Sequence, residues 1–494
     1  MDYDRLKERY SKFLSKRDER RELVSFWDGD LPSKDLICLE AGMPNEKLFP
    51  IKAIDLHLVD QPFDDGDGDK VSITRYEQPA EMPIARAFQY SEVRGMLPMV
   101  SFCKRIVEMT NRPVYDNWDV LLSNGSSDSM FKVFETLCDE SSTVLMEEFT
   151  FSPVVSNVTS TGASCVPLKM HLTTDPRDQG IDVEYMEQLL DNWHELEEYK
   201  RLNKPKLLYT IVTGQNPTGM TLSMQKRQQI YRLAQKHDLI IVEDDPYGYL
   251  TFPPYDPENP MKNVYTDTEN PMSIDEYLQK RLIKSFLTLD TDARVIRLET
   301  FSKMYAPGLR LSFIVANKFI IDRLLNLSEI TTRAPSGASQ AIVYATVKAM
   351  AARETAYQDE QDRMFYGWIR WAMKLAGTYT HRRNVAFKAL YETDAYKSHL
   401  FSVLEPSAGM FINVKINWPH APPDDMRRSL DQLDTVLVKN GVKVVLGYKL
   451  AVDQSFSIDS SGFLRFTVAY ASHDEQLIEG CHRIGNGIQE FLGY

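Results

Sequence analysis

Three short apolar runs in this chain end in polar side chains that could do chemistry together. Arg294–Leu298 leads into Thr300, Ser302 and Lys303. Leu239–Val242 leads into Glu243, Asp244, Asp245 and Tyr247. Lys206–Val212 leads into Gly214, Gln215, Asn216, Pro217, Thr218 and Gly219. A lysine amine can form an imine with a carbonyl compound and, once released, can carry a proton. The aspartate, the tyrosine and the asparagine add charge and hydrogen bonds. Taken singly each piece is ordinary. Asn-Pro-x-Gly is a common turn, an acidic cluster before proline is often a solvated helix start, and a lone lysine is often a surface charge. Their joint occurrence, in order, at successive strand ends is what points to a site. No Ser–His–Asp order and no metal-ligand spacing competes, so no metal is expected.

The elements that must carry these residues follow from periodicity. From about residue 118 to 315, short β-rich runs alternate with helical patterns. Strands are expected at Val120–Ser123, Thr143–Met146, Lys206–Val212, Leu239–Val242, Arg294–Leu298 and Leu311–Val315, and helices at Ser126–Glu140 and Ser223–His237, the latter capped by Ser223. Continuous apolar strands separated by helices mean an α/β fold with a mostly parallel sheet covered on both faces. Ligands bind such sheets beyond the strand ends. Residues 252–282, with Pro253, Pro254, Pro257, Pro260 and Pro271, read as a surface insertion, with a short helix from Ile274 to Leu289. Phe365–Leu390 reads as one long helix with an apolar stripe. Strands at Met410–Val414, Val442–Leu446 and Phe463–Val468, then a helix near Glu475–Phe491, form a smaller α+β unit. The expected division is an arm and part of the small domain at 1–75, a large domain at 76–365, and a C-terminal small domain at 366–494.

Composition narrows the partners. With 494 residues the chain is long enough for two domains. Apolar residues make up 43% and charged residues 26%, as in globular proteins. The net charge of −13 disfavours nucleic acid and anionic membranes as partners. His381, Arg382 and Arg383 make a short basic spot, read as the solvated face of a helix. Five scattered cysteines, with no C-x-x-C pair, argue for a reducing compartment; Cys138 reads as a buried thiol. No signal peptide and no membrane-length apolar run is present, so a cytoplasmic protein is expected.

Asn216-Pro217-Thr218-Gly219, Asp244-x-x-Tyr247, and Ser302-Lys303 followed by Gly308-Leu309-Arg310 resemble the fold-type I, class I/II aminotransferases, which use pyridoxal 5′-phosphate. Leu39–Asn45, Ala87–Tyr90, Glu243–Tyr249, Ser285–Asp290 and Ala334–Gly337 are similar to fungal aromatic aminotransferases, type II in particular. The resemblance covers nearly the whole chain. It implies a large domain with a seven-stranded sheet between helices, a smaller α+β domain, and a homodimer with a shared active site.

The resemblance also implies roles. Lys303 would hold the cofactor as a Schiff base, which makes the cofactor an electron sink. Asp244 would face the pyridine nitrogen. Glu243 and Asp245 are rivals one residue away, which strand alternation turns elsewhere. Tyr247 and Asn216 match the pair on the phenolic oxygen, and Phe151 the ring stacked on the pyridine. Ser126 and Ser127, at a helix start, together with Thr300, Ser302 and Arg310, match the phosphate contacts. Tyr90 matches the tyrosine sent to the neighbouring subunit's phosphate. Arg465 would grip the substrate carboxylate, with Gly42 letting backbone approach it. The interval from Asp244 to Lys303 is longer than in compact relatives because of the Pro-rich segment. The implied reaction moves an amino group from tryptophan, tyrosine or phenylalanine to a 2-oxo acid. A 2-aminoadipate or kynurenine preference is a neighbouring alternative. A transcription regulator built on the same fold would need a DNA-binding domain ahead of Leu39, where 38 residues stand.

Overall fold

A computed structural model describes residues 1–23, 42–64, 66, 68–76, 82–419 and 422–494. Cys38 and the stretch Leu39–Ala41 lie outside the described residues. Seven strands form one sheet, in the order Trp118–Ser123, Ser312–Asn317, Val295–Thr300, Ile240–Asp244, Leu207–Thr210, Thr143–Glu147 and Ser164–Leu168. The chain divides into two compact units, one of Met1–Met109, Asp116–Asp139 and Leu298–Trp368, the other of Thr110–Tyr115, Glu140–Arg297 and Ile369–Tyr494.

In the first unit Ser312–Asn317 pairs antiparallel with Trp118–Ser123. Helix Ser126–Leu137 follows the latter strand and buries Met130, Val133, Phe134 and Leu137. It ends before the expected Glu140 because Cys138 takes an extended conformation, although the Cys138 side chain is buried as expected.

In the second unit Thr143–Glu147 pairs parallel with Ser164–Leu168 and Leu207–Thr210, and Leu207–Thr210 pairs parallel with Ile240–Asp244. Thr143–Glu147 and Ile240–Asp244 are buried at every residue. That is what a sheet covered on both faces demands, and why their sequences show no alternation. Helix Met224–Lys236 starts where Ser223 accepts a hydrogen bond from the Lys226 N–H. A second, four-stranded sheet has the order Phe401–Leu404, Phe411–Ile416, Phe463–Thr467 and Val445–Leu446. Its Ile412, Val414 and Leu464 share a core with Leu430, Leu433 and Leu437 of helix Met426–Lys439 and with Ile484 and Ile488 of helix Asp474–Leu492.

Several expectations need correction. The strands Ser164–Leu168 and Phe401–Leu404 and the helix Met426–Lys439 were not expected. The Ile274–Leu289 segment is broken into Ile274–Glu276, a wide-turn stretch Tyr277–Arg281, and a tight turn Phe286–Leu289. Ser285 opens that last turn by capping the Leu287 N–H. The two arginines of the basic spot are buried, while His381 stays partly exposed beside Asp474. Arg383 is 1% exposed, lies over the rings of Phe252, Tyr255 and Phe387, and donates to the Pro253 carbonyl. Arg382 donates to the Val468 and Ala471 carbonyls. Long aliphatic stems and planar heads suit arginine to such sites. Among the described residues, no helix is long and apolar enough to cross a membrane, and no group of acidic, cysteine and histidine side chains could hold a metal ion.

Candidate active site

In the first unit the strand Trp118–Ser123 turns through Gly125 into helix Ser126–Leu137. No side chain caps this helix. Helix N-termini leave backbone N–H groups free, and those of Ser126 and Ser127 are therefore available to an anion. Gly125 has φ 82°, and a Cβ there would stand 2.2 Å from Nη2 of Arg310. Only glycine lets the guanidinium come this close to the helix start. Arg310 itself has φ 48° and donates to the Pro307 carbonyl at 3.2 Å. Thr300 donates to the Ser302 hydroxyl at 2.9 Å and accepts from the Ser302 N–H at 3.1 Å. Lys303 is half-buried one residue on. Its pKa is lowered by burial and, secondarily, by the charge of Arg310. The neutral amine, which is the nucleophilic form, is thereby favoured. Tyr90 is 66% exposed. Gly42 is exposed, and a Cβ there would meet nothing within 4 Å among the described residues.

In the second unit Asp244 is the last residue of its strand and is 3% exposed. Tyr209 donates to its Oδ2 at 2.8 Å. Its Oδ1 has no partner among the described residues. Burial pushes the Asp244 carboxyl up to about 7, against the lowering effect of the Tyr209 hydrogen bond. Glu243 and Asp245 are held differently. Arg297 pairs with Glu243 at 3.0 Å and with Asp245 at 2.7 Å, and Arg227 stands 3.7 Å from Glu243. Among the described residues the three consecutive acids thus split into an ion-paired set, Glu243 and Asp245, and Asp244, which is in no ion pair. Alternation along the strand accounts for the split.

The loop after Leu207–Thr210 carries Asn216, 6% exposed. Gln215 clamps this loop. Its Nε2 donates to the Phe149 carbonyl at 2.6 Å, and its Oε1 accepts from the Thr218 N–H at 2.9 Å and hydroxyl at 2.7 Å. Arg465, in strand Phe463–Thr467, donates through Nη1 to Asn216 Oδ1 at 2.9 Å. Its guanidinium carbon lies 4.4 Å from the Phe411 ring centroid. Tyr247 is buried, edge-on to Phe411 at 5.9 Å, and burial raises its pKa, so it stays a phenol donor. Phe151 is half-buried at the start of helix Ser152–Thr159.

Two further residues were not singled out from sequence. Tyr209 pairs in register with Val242, two residues before Asp244 on the same sheet face; with the strand register known, alternation alone would have found it. Glu147, fully buried, accepts from the Ile211 N–H at 2.9 Å and from Gln215 at 3.3 Å. Burial pushes it up to about 7. Through these two bonds it braces the asparagine loop.

Tyr209→Phe removes a donor that lowers the Asp244 pKa, so the carboxyl should titrate higher still. With pyridoxal phosphate as the cofactor that the sequence resemblance implies, we expect the cofactor-free variant to bind it about ten-fold more weakly at pH 7, the size of one charge-assisted hydrogen bond. The acid-side loss of binding should begin at a higher pH than in wild type. Titration of cofactor-free protein across pH 5–9 checks this; superimposable curves would remove Tyr209 from the site.

Comparison with known proteins adds an independent line. The family model for aminotransferases of class I and II matches residues 90–484. The chain is 56% identical to aromatic amino acid aminotransferase 2 of Saccharomyces cerevisiae, across 100% of this chain and 98% of that one. It is 32% identical to an aromatic amino acid aminotransferase of Schizosaccharomyces pombe, across 89% and 88%. A solved aromatic aminotransferase from Candida albicans superposes with a TM-score of 0.88 at 37% identity, covering 98% of each chain.

Proposed function

Since this chain belongs to the class I and II aminotransferases, we propose that it moves the amino group of tryptophan, tyrosine or phenylalanine to a 2-oxo acid in a ping-pong cycle, with pyridoxal 5′-phosphate as cofactor. The observation that carries this reading is the half-buried Arg465, backed by Phe411 and bonded to Asn216. It is a guanidinium fork prepared for the α-carboxylate that all donors and acceptors share. Full-length identity of 56% to an aromatic aminotransferase favours aromatic donors over 2-aminoadipate or kynurenine.

Two observations support the cofactor. The unpartnered, buried Oδ1 of Asp244 suits a protonated pyridine nitrogen. The Gly125–Arg310 approach at an uncapped helix start suits a phosphate. Ser126, Ser127, Thr300, Ser302 and Arg310 would hold that phosphate, Tyr247 and Asn216 the phenolic oxygen, and Phe151 the ring face. When bound, pyridoxal phosphate withdraws electrons from the substrate Cα. The remaining work falls to the chain. Lys303 moves the proton at Cα, helped by a lowered pKa. Asp244 keeps its charge beside the pyridine nitrogen. Arg465 orients the Cα–H bond by fixing the carboxylate. Its hydrogen bond to Asn216 Oδ1 also turns the Asn216 NH₂ outward as a donor.

The test is single-turnover kinetics with a donor panel, followed by loss of the cofactor's visible band. Aromatic donors should lead; 2-aminoadipate or kynurenine leading would replace the aromatic assignment. We further propose a cytoplasmic homodimer in which Tyr90 reaches the neighbouring subunit's phosphate. Sedimentation as an active monomer would remove that shared site, and a mobility shift on bulk DNA at low salt would revive the regulator alternative.

A further inference from the structure

The carboxamide of Asn413 is fully buried, and neither its Oδ1 nor its Nδ2 has a partner among the described residues. A buried amide left unpaired on both atoms is costly and rare, and calls for an explanation. Asn413 lies in strand Phe411–Ile416, directly opposite Arg465 in the antiparallel pairing with Phe463–Thr467. Opposed residues share a sheet face with their Cβ atoms close together. Phe411, two positions along, is on that same face, and it is there that the Arg465 guanidinium now rests. Arg465 Nε is likewise buried and unpartnered among the described residues. An unused donor and an unused acceptor therefore stand side by side on neighbouring strands. Asn413 is too deeply buried to meet a ligand itself, whereas Arg465 is only half-buried.

We propose that Asn413 is a positioning residue for Arg465: when an α-carboxylate binds the guanidinium, Asn413 Oδ1 accepts the Nε–H and fixes the plane of the fork. The inference rests on the reading of Arg465 as the carboxylate receptor. The unpaired Oδ1 is a cost carried by the unliganded protein and relieved on binding. Asn216 keeps its bond to Nη1, and the remaining Nη hydrogens face the ligand. Every carboxylate ligand gains from this, whatever its side chain.

The two states give opposite effects for an apolar replacement of similar size. Asn413→Leu removes an unsatisfied group from the free protein and removes an acceptor from the bound one. The probe is 3-phenylpropionate, which carries the carboxylate and an aryl group but no amine to react, with neutral 3-phenylpropanamide as control. Calorimetry on the cofactor-loaded enzyme should show Asn413→Leu binding the acid about ten-fold more weakly, equivalent to about 1.4 kcal/mol, and the amide unchanged. The melting temperature of the unliganded variant should match or exceed wild type. Asn413→Val makes the same comparison should the leucine variant not fold. Wild-type affinity for the acid, a fall in melting temperature with both ligands weakened alike, or failure of both variants to fold would overturn the proposal. Arg465→Lys separates it from the parent reading. If that variant still prefers acid over amide as wild type does, the carboxylate site itself is misplaced. If it loses the preference while Asn413→Leu keeps it, only the role of Asn413 falls.

Discussion

Lys303→Ala should lower kcat by at least about four orders of magnitude, because in the proposed reading one side chain supplies both the amine that bonds the cofactor and the base that moves the Cα proton. The protein should still fold and still bind pyridoxal phosphate. Ser126, Ser127 and Arg310 contact the phosphate in this reading, and none of them depends on the lysine. Its absorbance should nevertheless differ from wild type, since the amine bond is missing. In wild type, borohydride followed by digestion should leave the cofactor on the Lys303 peptide alone; in the variant no peptide should carry it. Small primary amines should restore part of the activity, and the restoration should follow amine basicity. The structure already biases Lys303 toward the neutral form through burial and the nearby Arg310 charge. Arg310→Gln should therefore weaken phosphate binding and also let the amine titrate higher. Cofactor fixed on a different lysine, or near-normal turnover in the alanine variant, would refute the assignment.

The sequence made some of this legible, and physical reasons separate what it showed from what it hid. Continuous apolar runs such as Leu239–Val242 announced buried parallel strands, and Asn216, Asp244 and Lys303 could be placed at strand ends because turn and polar residues break those runs abruptly. The edge strand Ser164–Leu168 was hidden because its first two residues are only half-buried and a proline sits within it. Arg382 and Arg383 were misread because charge alone says nothing about a guanidinium lying on rings and carbonyls. Tyr209, Glu147 and Asn413 were hidden for a different reason. Their significance lies in register and in unpaired atoms, which only three-dimensional pairing reveals.

Asp244→Asn and Asp245→Ala should fail in opposite ways, although the residues are adjacent. Asp244 is in no ion pair among the described residues, and burial outweighs the lowering effects of Tyr209 and the Arg297 charge, so its ionised form is unfavourable in the cofactor-free protein; in the proposed reading that form is used when a pyridinium stands beside it. Asparagine keeps the shape and loses the charge. We expect kcat to fall about a thousand-fold with KM little changed, as for other fixed charges that act mainly on the transition state. Cofactor-free stability should move the other way. The folded pKa, about 7, lies above the ordinary 3.8, so the folded protein binds the proton more tightly than the unfolded chain. That contribution to stability is complete below 3.8 and is lost as pH rises toward 7. Asp244→Asn removes this loss, so its cofactor-free form should melt higher than wild type at pH 8 and equal it near pH 4. Glu147, whose own elevation is partly due to Asp244, should titrate lower in the variant and add to the gain. Asp245 instead neutralises Arg297, which is 2% exposed. Its removal breaks one ion pair of a buried guanidinium that also pairs with Glu243, a change that costs roughly 3 kcal/mol for a broken buried pair. Asp245→Ala should thus melt lower at every pH, while each cofactor-loaded site that remains folded turns over near the wild-type rate. Melting curves on cofactor-free protein, with kcat normalised to bound cofactor, distinguish the two. If both variants lost stability alike, or if Asp245→Ala had the larger chemical defect, the pyridine nitrogen would have to be assigned to Asp245.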